Sequence, residues 1–232
     1  MLRHPLLSLP LRHCIVLASL ASLGACDQQG FELLPPLEPP ALAALGVQVP
    51  VQNVHFRDRD GEAVLVLSRL DDQVSDEETQ QEVDRVVLTA TLYGRSHDAQ
   101  TYKARWTIEN ETTCPGLDLD VGFYTDVSGA SDLNNDGVAE LTVASHSFCG
   151  GGVDPQDLHV ELREGAASYV INGQSLIAPE GEDAFGGERE DGPTLKDAPP
   201  VLREHLEKVW NSVLKRPWSE AAPEPDDDDP DQ

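Results

Sequence analysis

Val49-Pro-Val-Gln-Asn-Val-His-Phe56, Arg57-Asp-Arg-Asp-Gly61 and Glu62-Ala-Val-Leu-Val-Leu-Ser-Arg69 form the stretch that sets the fold class. Two runs rich in β-branched and aliphatic residues flank an Asp/Gly cluster, which is the pattern of a strand, a turn and a return strand. The same punctuation recurs downstream. Arg85–Tyr93 and Thr101–Ile108 read as a second hairpin with 94–100 as its turn. Val138–Phe148 reads as a strand after an Asp/Asn/Gly turn, and Leu158–Arg163 with Ser168–Asn172 as a hairpin around Glu164-Gly165. About seven strands with turns between neighbours predict a mainly β fold, an antiparallel meander, sandwich or partial barrel.

The period changes near the C-terminus. Leu202, Leu206, Val209, Trp210, Val213 and Leu214 recur at helical spacing, predicting one amphipathic helix at about 198–215. Asp197 is placed to cap it, Pro199 and Pro200 suit its first turn, and Pro217 ends it. The acidic stretch 71–82 and the Gly-rich stretch 178–196 read as loops. A single domain is therefore expected over 50–218. Before it, Pro35, Pro36, Pro39 and Pro40 make 26–49 an extended tether, with a strap packed through Phe31, Leu33 and Leu34 as the alternative. Beyond it, 219–232 with Asp226–Asp229 is expected to be a disordered acidic tail.

The chain has 232 residues, with 42 acidic and 16 basic side chains, a net charge of −26. Such a charge argues against nucleic acid, whose binders present a basic patch, and against electrostatic adhesion to an anionic bilayer. It suits a self-repelling soluble surface or a cation-binding one.

Residues 1–25 read as an export signal. Arg3 and Arg12 sit in a positive start, and the apolar run Cys14–Ala25 is too short to span a bilayer. The run ends in Leu23-Gly-Ala-Cys26, which resembles the lipobox of bacterial lipoproteins. The resemblance implies cleavage before Cys26 and acylation of that residue. The membrane partner is then a bilayer entered through N-terminal acyl chains, with the domain on the periplasmic face of the cell envelope. Asp27 resembles an inner-membrane retention signal of enterobacterial lipoproteins.

With Cys14 in the leader and Cys26 acylated, Cys114 and Cys149 remain as an even pair in an oxidising compartment. A disulfide is the favoured reading. Two buried thiols, or a catalytic Cys149 with His159 or His55 as base, are the alternatives. Ser147, Cys149 and His146 lie on one strand and alternate faces, so they form no triad by themselves.

Asp132-Leu-Asn134-Asn-Asp136-Gly-Val138-Ala-Glu140 carries the most specific chemistry. Oxygen donors recur at alternate positions, Val138 offers a backbone carbonyl, Gly137 permits a sharp turn and Glu140 closes the set. A hard cation such as Ca²⁺ wants six to eight oxygens, and Asp126 is a candidate to complete the shell. The segment resembles the short Asp-rich calcium loops of extracellular β-proteins, including integrin-like propeller blades, which implies bound Ca²⁺. Its single copy excludes a propeller of such repeats. Asn135-Asp136-Gly137 is also a strong hairpin turn, so a metal-free turn is the competing reading.

From Asp132 to about Ser175, the Asp-rich turn, the strand ending in Cys149, Val153-Asp-Pro155 and Tyr169-Val-Ile-Asn-Gly173 resemble a family of bacterial envelope proteins labelled surface polysaccharide biosynthesis proteins. Phosphate-binding and dinucleotide fingerprints are missing. The expectation is a lipid-anchored, non-enzymatic, calcium-stabilised binding or assembly module for a protein or glycan ligand. The alternative, from the resemblance, is an accessory factor or enzyme of surface polysaccharide biosynthesis.

Overall fold

The computed structural model describes residues 30–76, 79–179, 181 and 183–216. The expected signal peptide, Cys26 and the acidic tail lie outside the described residues. In chain order the elements are β1 (Glu32–Leu33), α1 (Pro39–Ala44), β2 (Pro50–Asp58), β3 (Gly61–Ser75), β4 (Glu82–Arg95) and β5 (Lys103–Cys114). There follow β6 (Asp118–Phe123), β7 (Gly129–Ser131), β8 (Glu140–Gly150), β9 (Asp157–Glu164) and β10 (Ala167–Gln174). The chain continues through β11 (Leu176–Ile177), β12 (Phe185–Gly186), β13 (Arg189–Asp191), a 3₁₀ turn (Leu195–Asp197) and α2 (Pro200–Val213).

The fold is mainly antiparallel β. Sheet A runs β1-β2-β3-β4-β5, and sheet B runs β13-β10-β9-β8-β6 with β7 also on β8. The apolar run of β3 explains the layering. Leu65 and Leu67 point into sheet B, packing with Ala90 and Val143, while Val64 and Val66 point the other way and lie under Leu42 of α1. Sheet B is likewise covered twice. Leu141 and Val143 of β8 meet sheet A, while Ala144, Leu158, Val160, Leu162 and Ile171 meet Leu202, Leu206, Val209, Trp210 and Val213 of α2. Strands buried on both faces read as near-continuous apolar runs, as these do.

The stretch 178–196 is not all loop, since it holds β12, β13 and the start of the 3₁₀ turn, and three further expectations need correction. The described part of the tether is a strap fastened across sheet A. Leu34 N–H donates to the His55 carbonyl at 2.8 Å, and Leu37 N–H to Asn53 Oδ1 at 2.7 Å. Pro39 and Pro40 occupy the first turn of α1, where proline is tolerated, so prolines that looked like linker punctuation start a helix that seats Leu42. Leu33, by contrast, is exposed. Residues 71–75 are strand rather than loop, because β3 and β4 continue their ladder past the core as a polar hairpin arm. There Arg85 donates to both carboxylate oxygens of Asp72, at 2.7 and 2.6 Å. Finally, α2 begins after Pro199, with no side-chain cap, and Asp197 closes the preceding 3₁₀ turn.

Two carboxylates are held by dense networks. Burial alone would raise the Glu62 carboxyl, but hydrogen bonds from Tyr102, His55 and Arg95 outweigh it and bring it down to about 2. Burial would also raise Glu161, but its bonds with His159, Ser168 and Arg163 take it to about 2. Both lie below the ordinary value of 4.5, so the stability they add is complete above that pH and is lost as pH falls toward 2. The melting temperature should drop across that window, and Glu161→Gln should flatten the drop. A melting profile recorded against pH checks both.

Candidate functional site

The segment 132–140 joins β7 to β8, and its side chains build the loop. Asp132 accepts the N–H of Asp136 with one carboxylate oxygen and the N–H of Gly137 with the other, at 3.0 and 3.1 Å. Asn134 Oδ1 also accepts from Asp136 N–H, and Asp136 Oδ1 accepts from Val138 N–H. Asn135 and Gly137 take positive φ values of 59° and 81°, the left-handed conformations that let the chain reverse this tightly.

The loop is clamped to both sheets. Asp58, buried in the β2–β3 turn, accepts Asp60 and Gly61 N–H with Oδ1 and Ala139 N–H with Oδ2. Arg59 donates its backbone N–H to the Gly137 carbonyl and its guanidinium to the Asp136 carbonyl, both at 2.8 Å. Asn134 Nδ2 donates to Glu164 at the β9–β10 turn. The Asp58-Arg-Asp-Gly61 cluster reads from sequence only as a turn. Its pairing with the later Asp-rich turn depends on how the two sheets stack, which no local pattern encodes.

Of the expected ligands, Asp132, Asp136 and Glu140 converge, with one carboxylate oxygen of each within 4.8 Å of the others. They are the group of three or more potential metal-ligating acids, histidines or cysteines among the described residues. Glu140 is 1% exposed, and Oε2 accepts the Leu133 N–H at 2.6 Å. Its burial, together with Asp132, Asp136 and Glu164 nearby, pushes its carboxyl above the usual range despite that bond. Asn134 stands beside the group with its amide committed to Glu164 and the turn. Val138 lines an adjoining cleft. Asp126 does not complete the set, because Arg216 holds both its oxygens at 2.7 and 2.8 Å.

The donor chemistry fits a hard cation. All the side-chain donors are oxygens, with neither histidine nor thiolate among them, which disfavours zinc. Oxygens bound to one Ca²⁺ at about 2.3–2.6 Å lie at most about 5 Å apart, whereas Mg²⁺ at about 2.0–2.1 Å needs a tighter set. Three carboxylate oxygens within 4.8 Å of one another are close enough to share one Ca²⁺.

Cys114 and Cys149 form a disulfide, with Cα atoms 5.4 Å apart. The oxidised pair removes Cys149 as a nucleophile. It joins the end of β5 in sheet A to the end of β8 in sheet B, while the Asp-rich loop joins the sheets at the other end of β8. The histidines weighed as bases are dispersed. His146 contacts Asp120, His159 contacts Asn172 and Glu161, and His55 contacts Pro35 and Glu62. No protein-family model, curated protein or solved structure matches the chain.

Proposed function

We propose that the chain is a lipid-anchored protein of the bacterial cell envelope whose folded part is a calcium-stabilised binding module. The observation that carries this reading is the meeting of Asp132, Asp136 and Glu140 at the seam where the β2–β3 turn, β8 and the β9–β10 turn are tied together. A cation there holds two sheets rather than activating a water, because Asp58, Arg59 and Asn134 fix the loop to its surroundings through hydrogen bonds. Asp132, Asp136 and Glu140 would hold the ion, which would supply the positive charge that buried Glu140 and its two acidic neighbours lack.

The disulfide supports an oxidising compartment. No helix among the described residues is long and apolar enough to cross a membrane, so attachment rests on acylation of Cys26. Labelled palmitate fed to producing cells should enter the full-length protein and not the Cys26→Ala variant. Equal labelling of the two, or of neither, would sink the anchor.

A further inference from the structure

Between the inner face of sheet A and sheet B, beside the Asp-rich loop, lies a cleft of about 420 Å³. Its floor is apolar, made by Phe56, Leu92, Trp106 and Leu141, and Arg105 and Arg163 stand on its walls. The volume is in the range that accepts a small organic molecule. We propose that this cleft binds an organic monoanion, a carboxylate on an apolar body, with Arg105 and Arg163 gripping the carboxylate.

Arg105 carries most of the argument. In the β4–β5 ladder Leu92 pairs with Trp106 and Tyr93 with Ala104, so Arg105 is an extra, unpaired residue, a β-bulge. Neighbours on a regular strand point to opposite faces. The bulge re-aims Arg105, so that it and Trp106 line the same cleft. Its stem crosses Gly94, where a Cβ would stand 3.0 Å from Arg105 Nε. The strand and its partner are thus shaped to hold a guanidinium over the cleft.

That guanidinium has no hydrogen-bond or ion-pair partner among the described residues. Every other arginine among the described residues donates to a carboxylate or a carbonyl, while Arg105 has neither a hydrogen bond nor an ion pair among them. In so acidic a chain, an exposed arginine that pairs with no acid among the described residues is placed for something else. Arg163 lies with its guanidinium carbon 4.6 Å from the Trp106 ring centroid and spends only Nε on Glu161, so its two terminal nitrogens are open. The acids lining the cleft compete little. Asp58 is filled by three backbone N–H groups, Glu62 is engaged by Tyr102, His55 and Arg95, and Asp60 is exposed.

The ligand class follows from charge and shape. Guanidinium forks match the planar carboxylate. A net charge of −26 disfavours a dianion such as a phosphate ester more strongly than a monoanion. The floor of Phe56, Leu92, Trp106 and Leu141 rewards an apolar body behind the charge.

The inference deepens the reading of the chain as a binding module. Its test is run on the full chain both with Ca²⁺ and with chelator, so that failure of the cation reading stays separate. The probes are 1-naphthoate, its uncharged amide and phenyl phosphate, titrated by calorimetry. Naphthoate should bind saturably, and the amide and phenyl phosphate at least tenfold more weakly. Arg105→Gln should weaken naphthoate roughly 10–100-fold, as loss of a charge-assisted bond does, with the melting temperature unchanged because the Arg105 guanidinium makes no polar contact among the described residues and glutamine keeps the first part of the stem. Gly94→Ala, which displaces Arg105 without touching its charge, should weaken it too. Absence of naphthoate binding in both conditions, or equal affinity for acid and amide, overturns the proposal. So does tighter phenyl phosphate binding or unchanged affinity in Arg105→Gln.

Discussion

Replacing Leu65 with alanine is expected to lower the stability of the domain by about 2–5 kcal/mol, the range for a large aliphatic residue deleted from a packed core. Leu65 is fully buried on the central strand β3, among Leu67, Ala90 and Val143, with Val54, Trp106, Ile108 and Phe123 around them. The backbone there cannot collapse into the void. β3 is bonded to β2 on one side and β4 on the other, and Val64 and Val66 are pinned beneath α1 on the opposite face. Leu33→Ala, at a side chain 59% exposed, should change stability by less than about 0.5 kcal/mol. Urea unfolding midpoints of the two variants check the contrast.

Breaking the Cys114–Cys149 disulfide in a double alanine variant is the second large effect. The bond closes a loop across a sequence separation of 35 residues. On the chain-entropy account such a closure contributes about 4 kcal/mol. In a domain of this size that corresponds to a fall of roughly 10 °C in melting temperature. The effect should exceed the entropic figure if the far end of the sheet interface also loosens, since the bond joins β5 to β8. Unfolding with and without reductant should reproduce the variant's loss in the native protein. Identical midpoints would show that the sheets are held without it.

What the sequence disclosed follows from how local each signal is. The β2–β3 hairpin was legible because Asp58–Gly61 sits between two apolar runs, and α2 because five of its buried side chains share one helical stripe. The polar arm of β3 and β4 was not, since Asp71–Ser75 has no apolar face and its strands are held by their ladder and by Arg85–Asp72. Consecutive prolines signal extension equally in a tether and a strap, and only the place of Leu42 above Val64 and Val66 decides for the strap. At the candidate site, the spacing of Asp132, Asp136 and Glu140 was enough to bring them together. Asp58 and Arg59, which anchor that loop, lie more than seventy residues away in sequence, and only sheet stacking makes them neighbours. The bulge at Arg105 is equally silent in sequence, because a register shift is a property of two strands and not of one.

In the proposed function, Asp132, Asp136 and Glu140 hold a calcium ion that stabilises the fold. A ligand bound only by the native state raises stability by mass action, about 2.7 kcal/mol when its concentration is 100 times Kd, which is roughly 5–10 °C in a domain of this size. The direct measurement is the melting temperature of the intact protein in excess Ca²⁺, in excess Mg²⁺ and in chelator. It is repeated on a variant carrying Asp132→Asn and Glu140→Gln. The account predicts a rise with Ca²⁺, a smaller one with Mg²⁺, and no response to either ion in the variant. Equal melting in calcium and chelator, or a rise that the variant retains, would contradict it.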